Sequence, residues 1–286
     1  MKRVLKWILL GLGILIAGVV AVAGFGFYRV YYGKHVYETA PPRLPDHMND
    51  PAILIFSKTN GFREDDAIRA SNAALAALAK RRDWTVFVTE NGAVFNPAML
   101  GRFKATVWNN TSGDVLNAEQ KAAFRSYIES GGGFVGIHGA GGDPHYEWRW
   151  YVDTLIGAQF KGHPLGPQFQ RATIHVEDPD DPATRQLPRD WSRVDEWYSF
   201  ETDPRASGVK VLATLDEGTY SPKMMWMDIR MGADHPIIWK HCVGKGRVFY
   251  SALGHSASTY QEPLHLKELE GGIAWAAGLE GQGCSQ

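Results

Sequence analysis

Apolar and polar residues fall into blocks along this chain, and the blocks predict its elements. From position 7 to 27 there is no charged residue, a run of the length that crosses a bilayer as one helix. Pro41, Pro42 and Pro45 then mark an extended linker. Beyond them, short apolar runs alternate with stretches of helical spacing. The run 52–57 (AILIFS) is bounded by Pro51 and Asn60-Gly61 and predicts a first buried strand. Ile68, Leu75 and Leu78 form one stripe of a helix over 64–81. Strands are predicted at 84–89 and 103–108, with a short helix opening at Asn96-Pro97. Ala122, Ala123, Phe124, Tyr127 and Ile128 give the next helix, which Gly131 ends. The run 134–137 is too short for a helix and reads as an inner strand of a parallel sheet, with His138 directly after it.

After His138 the pattern changes. Residues 146–155 have amphipathic helical spacing, and a glycine-rich polar loop follows at 156–164. Further strands are predicted at 169–176 and 209–215. Val194-Asp195-Glu196-Trp197-Tyr198 reads as a segment ahead of the turn at Asp203-Pro204. Two more strands, 235–240 and 246–251, form a hairpin through Val243-Gly244-Lys245. A last helix spans 263–277. Strands alternating with helices predict an α/β domain with a mostly parallel sheet and right-handed crossovers.

Composition narrows the function classes. The chain is 44% apolar and 21% charged with a net charge of −1, which describes a globular protein with no electrostatic case for nucleic acid. Aromatics make up 12% of the residues, a composition that suits sugar faces as well as cores. Two cysteines give no disulfide framework; Cys242 reads as a buried small apolar residue in a strand and Cys284 as part of the tail. Lys2, Arg3 and Lys6 ahead of the apolar run keep the amino end cytoplasmic and send the rest across. Ala21-Val22-Ala23 offers a signal-peptidase site, the rival reading. The apolar run continues past it, which favours an uncleaved anchor.

Three histidines occupy strand ends or loops. His138 and His255 each follow an apolar strand, where α/β sheets bind ligands, and His163 lies in a Gly-His-Pro loop. With Glu196 they suit acid–base chemistry near neutral pH. The same set suits a divalent ion such as zinc, although no HxxxH or HxH element is present. Plainer readings exist: His163 satisfying its own loop, Asp195-Glu196 a solvated turn, Arg63 a surface pair. Arg63 could instead orient a hydroxylated or anionic ligand through its fork of donors. There is no GxGxxG after the first strand, no GxxxxGK[ST], and His138 stands where a nucleophile elbow would need Ser or Cys.

Taken in order, GFR at 61–63, GGGFVGIHGA at 131–140, IGAQFKGHP at 156–164, DEWY at 195–198, PIIW at 236–239 and GKGRVFYSALGH at 244–255 resemble the ThuA-like proteins, named for trehalose utilisation. The resemblance runs from about 52 to 278. It implies a class I glutamine amidotransferase-like fold in which His138 occupies the position of a glutaminase's cysteine, so thioester chemistry is not expected. It also implies sugars as ligands, in particular oxidised (3-keto) disaccharides made by partner dehydrogenases. One departure concerns Glu64, where many relatives carry His after Phe-Arg: Glu64 either replaces it or marks altered local chemistry.

The expected organisation is a membrane anchor or uncleaved signal at 1–33, a linker at 34–51, the domain at 52–279 and a tail at 280–286. The expected function is that of a single-pass protein of the cytoplasmic membrane, with its domain on the periplasmic or extracellular side. It would act on a keto sugar or glycoside as hydrolase or isomerase. His138, Glu196 and His255 are the expected catalytic set, and Phe62, Arg63, His163 and Trp197 the substrate contacts. His138, His163 and His255 are the candidate ligands for a metal such as zinc. The alternative is a non-catalytic sugar-binding or scaffold domain.

Overall fold

The computed structural model describes residues 2–31 and 35–284. Its first element, α1 (Lys2–Tyr31), is long and apolar enough to cross a membrane, a test that a signal sequence also passes. The boundary expected between 33 and 34 lies outside the described residues. Residues 35–51 form no helix or strand but are tied down. Glu38 Oε2 accepts from Lys58 Nζ at 2.6 Å and from Gly92 N at 2.8 Å, and its carbonyl accepts from Gln120 Nε2 at 2.7 Å.

The domain then runs β1 (Ala52–Phe56), α2 (Asp65–Arg81), β2 (Thr85–Thr89), α3 (Pro97–Leu100), β3 (Ala105–Asn109), α4 (Ala118–Glu129) and β4 (Gly133–Ile137). After a π-helical turn at Trp150–Ile156 come β5 (Phe160–Gly162), β6 (Phe169–Val176), β7 (Asp190–Glu196), β8 (Ser199–Phe200), β9 (Lys210–Leu215), β10 (Lys223–Met224), β11 (Met227–Asp228), β12 (Pro236–Val243), β13 (Gly246–Ser251) and α5 (Pro263–Ala276). Nine strands form one sheet in the order β2-β1-β3-β4-β13-β12-β9-β6-β7. The ladders from β2 to β13 are parallel and those from β13 to β7 antiparallel. Only β12 and β6 therefore oppose the common direction. As a result β4, β13 and β7 all end at the same edge, where α/β sheets hold ligands.

Alternation along β3 assigns the helices to opposite faces. Asn109 Nδ2 donates to Ser71 Oγ of α2 at 2.6 Å, whereas the next side chain, Trp108, stacks on Phe124 of α4 with centroids 5.0 Å apart. Phe56, Phe95 and Phe134 pack edge-on around Trp108 within 6 Å, building an aromatic core on the α4 face. Asn117 and Gln120 form the reciprocal capping box that starts α4.

Three expectations need correction. The segment at 194–198 belongs in part to a strand, β7. Residues 146–155 form a helix only from Trp150, and it is π-helical. Cys242 is not a buried apolar residue: it is exposed near the end of β12 and disulfide-bonded to Cys284, with Cα atoms 5.8 Å apart. Trp275 Nε1 donates to Gln282 O at 3.0 Å, which folds the tail back beside the hairpin. A partner 42 residues away in a short tail leaves no local pattern to read.

Candidate functional site

His138 directly follows β4 in a conformation that L residues seldom adopt, with φ at +45°. Such a backbone costs on the order of 1–3 kcal/mol and persists only where surrounding contacts enforce it. Here Tyr250 Oη donates to the His138 carbonyl at 2.9 Å, and His138 Nδ1 donates to the Ala252 carbonyl at 2.7 Å. The Tyr198 ring stacks on the imidazole with centroids 4.1 Å apart. The glycines that follow permit this crowding: a Cβ at Gly142 would come within 2.5 Å of Tyr198 Oη, and one at Gly141 within 2.6 Å of Tyr250 Oη.

His255 arrives from β13 through Ala252-Leu253-Gly254, and Asp195 fixes this segment. The Asp195 carboxylate accepts from Gly254 N at 3.0 Å, His255 N at 3.3 Å and Glu196 N at 2.9 Å. Glu196 ends β7, four ladders away from β13, yet reaches the same point. β6 pairs with β9 only through Ile174–Val176. Beyond that ladder its amino-terminal half is held by the segment 216–221, through Thr173 to Asp216 N and Thr219 Oγ1 and through Gln170 to Ser221.

The three side chains meet at short range. Glu196 Oε2 lies 2.9 Å from His255 Nδ1 and 3.2 Å from His138 Nε2, and the two imidazole nitrogens are 3.0 Å apart. The other Glu196 oxygen faces His163 Nδ1 at 3.1 Å and accepts from Gln168 Nε2. His255 Nε2 points outward to Glu64 Oε1 at 3.3 Å. Burial alone would raise the Glu196 pKa. Hydrogen bonds from His138 and His255 and the charges of His138 and His163 outweigh it and hold the carboxyl well below the usual range. His255 is shifted upward: burial opposes its charge, but Glu196, Glu64 and Asp195 overcome that.

This cluster floors a cavity of about 420 Å³, a size suited to a small ligand. Phe62, Glu64, Asp143, Phe160, His163 and Met224 are among its walls. Burial pushes the Asp143 carboxyl upward, and its backbone donors Gly113 and His145 only partly offset that. Two imidazoles and a carboxylate at contact distance can pass protons to a ligand on this floor. Among the described residues, donor atoms of His138, His255 and Glu196 lie close enough together to hold a divalent ion.

The expected histidines and Glu196 thus converge, and Phe62 joins the pocket. Arg63 does not. Its guanidinium is held by Asp65 at 2.7 Å and Glu90 at 2.7 Å and lines a neighbouring surface cleft. Trp197 is buried with its indole N–H on the Gln170 carbonyl at 2.8 Å, so it belongs to the core rather than to the pocket wall. His163 is not the third member of the inner triangle: it touches the outer oxygen of Glu196, and Glu196 takes that place. Tyr198, Gln168 and Asp143 went unread, because their roles depend on contacts between segments far apart in sequence. Only the glycine run 139–142 hinted at close-packed rings nearby.

The family described as ThuA, trehalose utilisation, matches residues 52–276. The chain belongs to the ThuA family. That family relates to trehalose utilisation, which is consistent with a carbohydrate ligand. The fold is the glutamine amidotransferase-like one of ThuA proteins. A ThuA-like protein from Bacteroides uniformis superposes with a TM-score of 0.69 at 23% identity, over 83% of this chain and 95% of that one. A second, from Parabacteroides merdae, gives 0.62 at 17% identity, over 80% and 90%. A cold-adapted β-galactosidase from Rahnella sp. R3 gives 0.50 at 15% identity, over 82% of this chain but 32% of that one. At these identities the likeness is one of fold. No curated protein matches the chain significantly.

Proposed function

We propose that the pocket binds an oxidised (keto) sugar or glycoside and that His138, His255 and Glu196 exchange its protons. The observation that carries this reading is the buried contact among these three side chains on the floor of a ligand-sized cavity. A carbon next to a ketone is acidic enough for a His/Glu base, so no nucleophile is required. Breaking that C–H bond sends its electron pair to the carbonyl oxygen as an enolate. Passing the neighbouring hydroxyl's proton to the enolate oxygen, and returning the abstracted proton to the former carbonyl carbon, moves the ketone to the neighbouring position and gives isomerisation. Expelling an oxygen from the β carbon, protonated by a histidine as it leaves, gives cleavage, which water completes. Phe62 and Phe160 offer ring faces for the sugar's C–H surface.

The surroundings we infer follow from the same chain. Helix α1 serves as an uncleaved anchor in the cytoplasmic membrane, with the domain on the periplasmic or extracellular side. The Cys242–Cys284 bond supports an oxidising compartment. A sugar dehydrogenase is the class of enzyme that would supply a ketone. Incubating the full chain with a panel of keto and unoxidised disaccharides, followed by product analysis, tests the reading. Conversion of keto sugars only, lost by 10²-fold or more in Glu196→Gln, supports it. Unchanged turnover in both Glu196→Gln and His138→Ala refutes it, and calorimetric binding without any product would favour a sugar-binding domain instead.

A further inference from the structure

We propose that His138, His255 and Glu196 form a centre for one divalent first-row transition-metal ion that opens onto the pocket. Three inward-facing atoms carry the argument. His138 Nε2, His255 Nδ1 and Glu196 Oε2 are separated by 2.9, 3.0 and 3.2 Å. Ligands about 2.1 Å from one ion stand about 3.0–3.4 Å apart in octahedral or tetrahedral arrangement, so the triangle is already close to ligand spacing.

Proton placement points the same way. The Ala252 carbonyl can only accept, so His138 Nδ1 holds a proton and Nε2 is the nitrogen left to bind an ion. Glu64 Oε1 lies 3.3 Å from His255 Nε2, an acceptor for a proton on that outward nitrogen when Nδ1 binds an ion. An ion here would displace the inner protons that His138 and His255 give Glu196, and their lone pairs would then face it together with a carboxylate oxygen. A single proton can bridge only one edge of this triangle, whereas a cation serves all three corners. Outward N–H groups held by a carbonyl and a carboxylate are the usual second layer around metal-bound imidazoles. Gln168 and His163 likewise hold the second oxygen of Glu196 and leave Oε2 for the centre.

Two imidazoles and one carboxylate suit borderline ions from Mn²⁺ to Zn²⁺ better than the hard ions Ca²⁺ and Mg²⁺. Remaining coordination positions would face the cavity, where a ketone and its neighbouring hydroxyl offer two oxygens side by side. An ion there would polarise the carbonyl. The choice of ligand rests on the sugar reading above; ion binding itself does not.

The test uses the full chain in detergent, stripped with chelator and titrated with Co²⁺, read by its visible absorption and by elemental analysis. One equivalent per chain is expected, with binding abolished in Glu196→Gln and His138→Ala. Glu64→Gln should weaken it about tenfold, the loss typical of a second-layer partner. His175→Ala, on an exposed histidine paired with Asp190, should bind as wild type does. Circular dichroism of stripped Glu196→Gln, a near-isosteric change, separates lost ligation from lost fold. Absence of stoichiometric Co²⁺ binding, or equal binding by folded Glu196→Gln, overturns the centre. Ion bound at these residues with no keto sugar converted keeps the centre and removes the sugar reading. Equal conversion by stripped protein and by stripped protein incubated with Co²⁺, with no Co²⁺ taken up, does the reverse.

Discussion

Replacing Asp195 by Asn is the most informative single change outside the pocket floor, because one fully buried carboxylate holds both arms of the site. It lies 3.0 Å from Arg193 Nη2, in a pair with essentially no exposure. It also accepts from the backbone N–H groups of Gly254, His255 and Glu196. Asn keeps the shape and removes the charge. Stranding a buried partner charge costs about 3–5 kcal/mol. Arg193 retains Glu262 Oε1 at 3.5 Å and the Trp191 ring at 4.9 Å, so the lower end applies, about 3 kcal/mol. The new amide nitrogen cannot accept, which orphans one backbone N–H for about 1 kcal/mol more. The sum is roughly 4 kcal/mol, or a fall in Tm of about 8–15 °C for a chain of this size. Thermal unfolding of the full chain in detergent, followed by tryptophan fluorescence, measures it. The double variant Arg193→Met/Asp195→Asn removes both charges and should recover about 2 kcal/mol. A single variant within about 1 kcal/mol of wild type, or a double variant no better than the single, refutes this account of the buried pair.

Other expectations follow from the same contacts. The loop closed by Cys242–Cys284 spans 42 residues, so Cys284→Ser should cost up to about 4 kcal/mol; denatured, unreduced protein should show no free thiol, and two free thiols would contradict the bond. Gly142→Ala brings a methyl against Tyr198 Oη and should displace the ring from His138, lowering turnover while costing about 1–3 kcal/mol of stability; turnover at the wild-type level would show that the stack is dispensable. Burial would raise the Glu217 pKa, but hydrogen bonds from His235, Met231 and Gly232 hold it below its ordinary value of 4.5. Its contribution to stability is therefore complete above that value and is lost as pH falls through the lower, folded one. Glu217→Gln should be less stable at neutral pH and show a flatter acid limb in pH-dependent unfolding; parallel curves for the two proteins would contradict the shift.

How far the site could be read from residues alone depended on how local each signal was. Gly131 ends a helix, four apolar residues make an inner strand, and His138 must then stand at its end, so that position was legible from a short window. His255 follows β13 by the same logic. Glu196 was harder. Asp195 and Glu196 are adjacent, yet both are buried, because β7 ends there and alternation stops. The residues alone offered Glu196 as an acid–base partner of the histidines with a solvated turn as the plainer reading, and the family resemblance added the DEWY match. Arg63 misled because an arginine after the first strand has the chemistry of a ligand clamp, while the acids that neutralise it, Asp65 and Glu90, come from the next helix and the next strand end. Trp197 misled because an aromatic beside a candidate acid suggests a sugar platform, whereas its ring is buried and its indole N–H is bonded to the Gln170 carbonyl of β6. Glu196 reaches the histidines along the β6–β7 pair, whose ladder to β9 covers three residue pairs. Residue patterns carry no record of where such a ladder stops.

Proton exchange on a keto sugar in D₂O, followed by NMR, tests the central claim most directly. With wild-type protein, deuterium should enter at the carbon next to the ketone well above the buffer rate, and Glu196→Gln should reduce that entry by about 10²-fold or more. Exchange at the buffer rate in the presence of a sugar that demonstrably binds, or equal exchange by both proteins, would contradict acid–base chemistry at the cluster of His138, His255 and Glu196.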